Sequence, residues 1–244
     1  MSRSEEADEA RRALLLRMLA AGSFALPGVS LLAGCAAPLG RRPQPLAADR
    51  SVWRAEGAFT VNGVAADESV LIRPGDSVET DAEGGLIFAV GETGFFARPS
   101  TRVRLIAEPG AGARVGTIGL EAGGLLTVFA HRTYRLETPL AVVGIRGTGL
   151  YAQVEPGQDY ICTCYGSVDI SARADPASTE AIVSEHHDAP RFVTASGASG
   201  TRVRAAPFKD HTDEELLLIE TLVGRTPPFP VAGDAYGMPR RRSY

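Results

Sequence analysis

The residue types that could do chemistry in this chain gather in two short stretches. One is Tyr160-Ile161-Cys162-Thr163-Cys164-Tyr165-Gly166, and the other is Ser184-Glu185-His186-His187-Asp188-Ala189-Pro190, with His211 just beyond. Cysteines at i and i+2 on a strand project both sulfurs from one face, leaving Ile161, Thr163 and Tyr165 on the other. Their Cα atoms then lie roughly 6.5–7 Å apart, at the limit a disulfide tolerates, so an unbent strand disfavours bridging them. Two parallel thiolates can instead meet one ion at about 2.3 Å each. Adjacent histidines on a strand face opposite ways, but Asp188 and Pro190 suggest a turn in which both converge. Cys162, Cys164, His186 and His187 then make a two-sulfur, two-nitrogen tetrahedral set suited to zinc, with copper as the alternative. Two other readings stay open: a reversible dithiol or strained disulfide, and an inert pair of small buried hydrophobes beside polar loop histidines. His131, next to Arg132 at a strand end, points to no such chemistry. Lys209 is the only lysine, hence the only Schiff-base amine, in a polar setting that does not activate it. No serine elbow and no metalloprotease helix pattern is present, and the chain is expected not to be an enzyme.

The elements that must hold these residues are strands. Thr138 to Ile170 reads as an apolar strand start, a glycine-rich bend at Gly144-Ile145-Arg146-Gly147-Thr148-Gly149, a strand, a Pro156-Gly157 turn and a strand. In that bend the glycines let backbones approach and turn, and Arg146 is expected to pair with a carboxylate. A phosphate-cradling loop would need a helix directly after it, and an alternating Leu150-Tyr151-Ala152-Gln153-Val154 follows instead. Further short segments are predicted at 58–61, 69–72, 86–90, 94–97, 103–106, 125–129 and 134–137, separated by Gly, Pro, Asn and Asp turn signals. The spacing predicts an all-β fold: a sandwich, barrel or solenoid-like stack of short strands. One helix is predicted: Thr212-Asp213-Glu214-Glu215 is a capping box, an apolar run through Val223 follows, and Gly224 ends it. The apolar face should pack on the β domain.

The chain opens with export signals. Arg11, Arg12 and Arg17 precede a short, small-residue apolar stretch, and Leu32-Ala33-Gly34-Cys35 looks like a bacterial lipobox. That implies cleavage before Cys35 and lipid attachment to its sulfur. Sec and twin-arginine export both fit. Ala36 rather than Asp after the cysteine favours the outer membrane, facing the periplasm. The expected divisions are 1–34 signal peptide, 35–51 lipid-anchored linker, 52–205 β domain, 206–225 helix and 226–244 irregular tail. The formal net charge is −4. That mild acidity gives no reason to expect nucleic acid, so the expected partners are the membrane through the anchor and an envelope protein or glycan.

Several stretches resemble a FecR domain: Gly57-Ala58-Phe59-Thr60-Val61-Asn62-Gly63, then Arg73-Pro74-Gly75-Asp76-Ser77-Val78-Glu79-Thr80, Ser100-Thr101-Arg102-Val103-Arg104-Leu105, Leu136-Glu137-Thr138-Pro139 and Val142-Val143-Gly144-Ile145-Arg146-Gly147-Thr148. The resemblance spans about residues 52–172. It implies an all-β periplasmic sensing module built as a twisted, solenoid-like stack of short strands. The founding members also regulate a sigma factor through a cytoplasmic segment. This chain has a lipobox in that place, so only the periplasmic part of the likeness is expected to hold.

Overall fold

The computed structural model describes residues 44–110 and 114–230. The predicted signal peptide (1–34), Cys35 and the predicted irregular tail beyond residue 230 lie outside the described residues. Within them run β1 (Val52–Glu56), β2 (Phe59–Val61), β3 (Val64–Ala66), β4 (Ser77–Thr80), β5 (Gly85–Val90), β6 (Thr93–Ala97), β7 (Arg102–Ala107) and β8 (Val115–Ala122). Then come β9 (Gly124–Val128), β10 (Thr133–Glu137), β11 (Ala141–Glu155), β12 (Gln158–Ala172), β13 (Asp175–Ser184), β14 (Arg191–Thr194), β15 (Val203–Ala205) and the helix α1 (Asp213–Leu222). All fifteen strands join one curled sheet, so the described residues are all-β with one helix near the C-terminal end. Residues 69–72, predicted as a strand, are irregular. Ile72 is nevertheless buried, with its N–H and carbonyl bonded to the Ser51 hydroxyl, which replaces a ladder partner.

The long hairpin β11–β12 is the spine. The first part of β11, Val142–Arg146, pairs with β10; the later part, Gly149–Gln153, pairs with β9. Likewise β12 pairs with β14 through Gln158–Ile161 and with β13 through Gly166–Ala172. The spine changes neighbours where its register breaks, between Arg146 and Leu150. Gly147 and Gly166 sit at that break with φ of 55° and 88°, backbone that side chains other than glycine rarely adopt.

Patterning explains the two layers. β7 and β10 alternate buried and exposed residues, as half-solvated strands do. β5, β6 and β9 are buried at every position, so both of their faces are covered. Phe88, Phe95, Leu125, Leu150 and Ile161 belong to the main core on one face. Their neighbours Ile87, Phe96 and Leu126 lie outside that cluster, on the face where α1 packs across β5, β6 and β9. The helix backbone comes so close that a Cβ on Gly94 would lie 2.8 Å from the Ile219 carbonyl oxygen. The predicted capping box is formed: the Glu215 N–H donates to the Thr212 hydroxyl and the Thr212 N–H to the Glu215 carboxylate. Gly224, at φ 74°, follows the C-cap. Glu215 also accepts two 2.7 Å bonds from the Arg98 guanidinium, an ion pair buried between helix and sheet.

Candidate metal centre

The site begins with an irregularity in β12. Thr163 faces Leu150 and Tyr165 faces Gly149, so Cys164 is an extra residue with no partner on β11, a β-bulge. A Cβ on Gly149 would stand 2.4 Å from the Tyr165 ring, so the bulge needs glycine there. The strict alternation predicted for residues 160–165 breaks at this point. Tyr165, which alternation puts opposite the cysteines, donates its hydroxyl to Glu220 of α1 instead.

Two other segments close over the bulge. The loop between β13 and β14 docks through the His187 N–H, which donates to the Cys164 carbonyl at 2.9 Å. Asp188 shapes that loop, its carboxylate accepting the N–H groups of Glu185 and His186 at 2.8 and 3.1 Å. His187 itself has φ 55°, a left-handed conformation uncommon outside glycine and enriched at functional sites. The third segment leads into α1 and carries His211, one residue before the N-cap Thr212.

These segments bring four donor atoms together. Cys162 Sγ lies 3.7 Å from His187 Nδ1, and Cys164 Sγ 3.3 Å from His211 Nε2. The two ring nitrogens are 3.1 Å apart, and all four atoms lie within 4.8 Å of one another. Both cysteines are free thiols with no exposure, and His211 is 3% exposed. Cys162, Cys164 and His187 were all in the set expected from sequence. His186 is not in this group; its Nε2 lies 2.9 and 3.0 Å from the two Asp213 carboxylate oxygens, in a second, more exposed group of His186, His187 and Asp213. His211 supplies the fourth donor. The sequence signal for it was its position beside the capping box, which locates it only once the helix is known to start next to β12.

The outer nitrogens of the two inner histidines each face an acceptor. His211 Nδ1 is 2.8 Å from the Lys209 carbonyl, which can only accept, so Nδ1 carries the hydrogen. His187 Nε2 is 3.0 Å from Asp213 Oδ1, which asks the same of that ring. His211 therefore aims a lone pair inward, while His187 sits between Cys162 and Asp213, with a hydrogen-bonding partner at each ring nitrogen. The Cys162 pKa is drawn down to about 3, chiefly by the hydrogen bond from the Cys164 thiol, with His187 and His211 adding to it against burial. Burial, then the hydrogen bond to Cys162 and its charge, pushes the Cys164 thiol up. Burial acts to lower His187, but Cys162 and Asp213 outweigh it and the net shift is upward. Aromatic rings wall the site: His211 stacks on Tyr151 at 4.8 Å, and Phe208 lies 4.6 and 4.7 Å from the rings of His187 and His211.

The remaining predicted positions serve the bend. Arg146 pairs with Asp169 at 2.7 Å on the surface. Gly144 has room for a side chain, whereas a Cβ on Gly147 would meet His131 Nδ1 at 2.9 Å. Thr148 is fully buried. Lys209 pairs with Glu155 and is held 3.7 Å from Asp210.

No family model matches the chain. No curated protein matches it. Among solved structures, two crystal structures of a "putative anti-sigma factor" from Parabacteroides distasonis, at 2.50 and 1.65 Å, are similar to it. Both are 11% identical, with TM-scores of 0.42 and 0.43, and each match covers 59% of this chain. It spans 64% of the length of that protein. Likeness at this level carries no functional assignment.

Proposed function

We propose that this chain is a non-enzymatic metal-holding module of the bacterial envelope, binding one ion through Cys162, Cys164, His187 and His211. The observation that carries this is the pair of inward-facing imidazole nitrogens 3.1 Å apart beside two buried sulfurs. Lone pairs that close repel unless a proton or a cation lies between them. A tetrahedral zinc site with metal–sulfur bonds of about 2.3 Å and metal–nitrogen bonds of about 2.0–2.1 Å has sulfur–nitrogen edges near 3.5 Å and a nitrogen–nitrogen edge near 3.3 Å. The edges here are 3.7, 3.3 and 3.1 Å. Two thiolates and two neutral imidazoles exactly balance a divalent ion, which suits a buried site and favours zinc; copper(I) would leave one negative charge buried. Four protein donors fill a tetrahedron, the closed arrangement of a structural or storage site rather than a catalytic one.

The lipobox at Cys35 and the FecR resemblance support a periplasmic setting at the outer membrane, with the sheet presented to an envelope protein or glycan. The competing use of the same residues is a dithiol redox pair, favoured by the low pKa of Cys162 and opposed by the complete burial of both sulfurs. Elemental analysis of the full purified chain decides between them. One equivalent of zinc is expected, lost in Cys162→Ser and in His211→Ala. A metal-free chain whose thiols cycle with a glutathione buffer establishes the dithiol instead. Substitution of Cys35 by serine should release the protein from the membrane fraction, and unchanged fractionation removes the anchor.

A further inference from the structure

The second group of donors is more exposed than the first. Cys162, Cys164 and His211 are buried, and His187 is 9% exposed at its side chain. Asp213 is 20% exposed and His186 46%. His186 Nε2, His187 Nε2 and an Asp213 oxygen lie within 4.8 Å of one another, and His187 belongs to both groups, through Nε2 to the outer one and through Nδ1 to the inner one.

Resting on the metal reading above, we infer that His186, His187 and Asp213 form a capture subsite that takes a divalent cation from solvent and passes it inward to Cys162, Cys164, His187 and His211. Donor chemistry and burial set the direction. The outer group offers two nitrogens and a carboxylate near solvent, while the inner one offers two sulfurs and two nitrogens, with Cys162, Cys164 and His211 buried. A neutral imidazole has a single lone pair, so His187 serves one group at a time, through Nε2 outward or Nδ1 inward. An ion held outside gives up His187 Nε2 on moving inward, and the set with two thiolates holds it more tightly. Filling the inner site thus dismantles the outer one, and release retraces the same route. His186 contributes to passage without being an inner ligand, and its ring, 4.3 Å from that of Phe229, lies at the surface.

The prediction separates rate from affinity. Cobalt(II) is mixed with the full metal-free chain, and uptake is followed by the thiolate-to-cobalt charge-transfer absorption, which only the inner site produces. His186→Ala should slow uptake several-fold and slow release to a chelator by the same factor, with the equilibrium affinity and the absorption spectrum unchanged. The stoichiometry at saturation should be one ion per chain in both proteins. Equal uptake rates in the two proteins overturn the capture subsite and leave the inner site standing. An affinity loss that accounts for the slower uptake also overturns it, since His186 would then be a ligand of the resting site. A second tightly bound ion in the unaltered chain contradicts the hand-over. If the unaltered chain produces no thiolate–cobalt band, the inner site falls and the capture subsite with it.

Discussion

Two thiols and two imidazoles converging on one point can be satisfied by protons or by a cation, and the choice depends on pH. Without metal, Cys162 is a thiolate down to about pH 3, Cys164 keeps its proton because of burial, and His187 holds a proton more tightly than an ordinary histidine. An incoming ion must displace the Cys164 proton, and below the raised His187 pKa it must displace that proton as well. Affinity therefore falls as pH falls, with about two protons released per ion on the acid side of the His187 transition and about one on the alkaline side. Calorimetric titration of the full chain with zinc, repeated in buffers of different ionisation enthalpy, counts those protons; affinity that does not change with pH refutes the assignment. The sequence disclosed three of the four donors because cysteines two apart on a strand and a histidine pair in a turn are local patterns. His211 comes from a segment whose docking is set by helix packing, which no local pattern encodes. His186 was placed inside because adjacent histidines in a turn look equivalent, whereas in the fold His187 reaches Cys162 and His186 reaches Asp213 instead.

At the scale of elements, the helix was the most legible part, since the capping box and Gly224 bound it and its leucines specify a buried face. What the sequence did not disclose is that Glu215 has two tasks, capping Thr212 and neutralising Arg98. Burial alone would raise the Glu215 pKa, and the Arg98 charge outweighs it, so the carboxylate stays ionised. Removing one partner leaves the other charged and buried. Glu215→Leu or Arg98→Met alone should therefore cost about 3–5 kcal/mol of stability, while the double change Arg98→Met with Glu215→Leu should recover a large part of that loss. Urea unfolding of the four proteins checks this, and additive single losses would show that the pair is not coupled. Several strands were harder to read. β13 contains Pro176, which argues against a strand interior, but β13 pairs only with β12 and so is an edge where a missing donor costs little. The bend in β11 was visible in its glycines, whereas the bulge at Cys164 was not, because it arises from a register mismatch with Gly149 on the opposite strand.

Across the whole molecule the question is how much of the fold a bound ion would support. The cluster ties together β12, the β13–β14 loop and the segment before α1, joining parts of the chain that are distant in sequence. Each of those parts also has attachments of its own. The helix is held by its apolar face, by the close approach at Gly94, by the Arg98–Glu215 pair and by the contact of Tyr165 with Glu220. The sheet core of Phe88, Phe95, Leu125 and Leu150 lies on the other face and does not involve the cluster. A small zinc finger has no comparable core, which is why it unfolds when its metal is removed. This chain should instead lose order locally. Chelation of the zinc-loaded full chain should leave its far-ultraviolet circular dichroism unchanged and lower its melting temperature, as expected when a ligand specific to the native state is withdrawn. Hydrogen exchange should quicken at the His187 amide, which bonds the Cys164 carbonyl, while amides of β5, β6 and β9 keep their protection. The outcome that defeats this view is loss of protection across the sheet on chelation, which would make the ion a condition of folding rather than a clasp on one edge of a fold that stands without it.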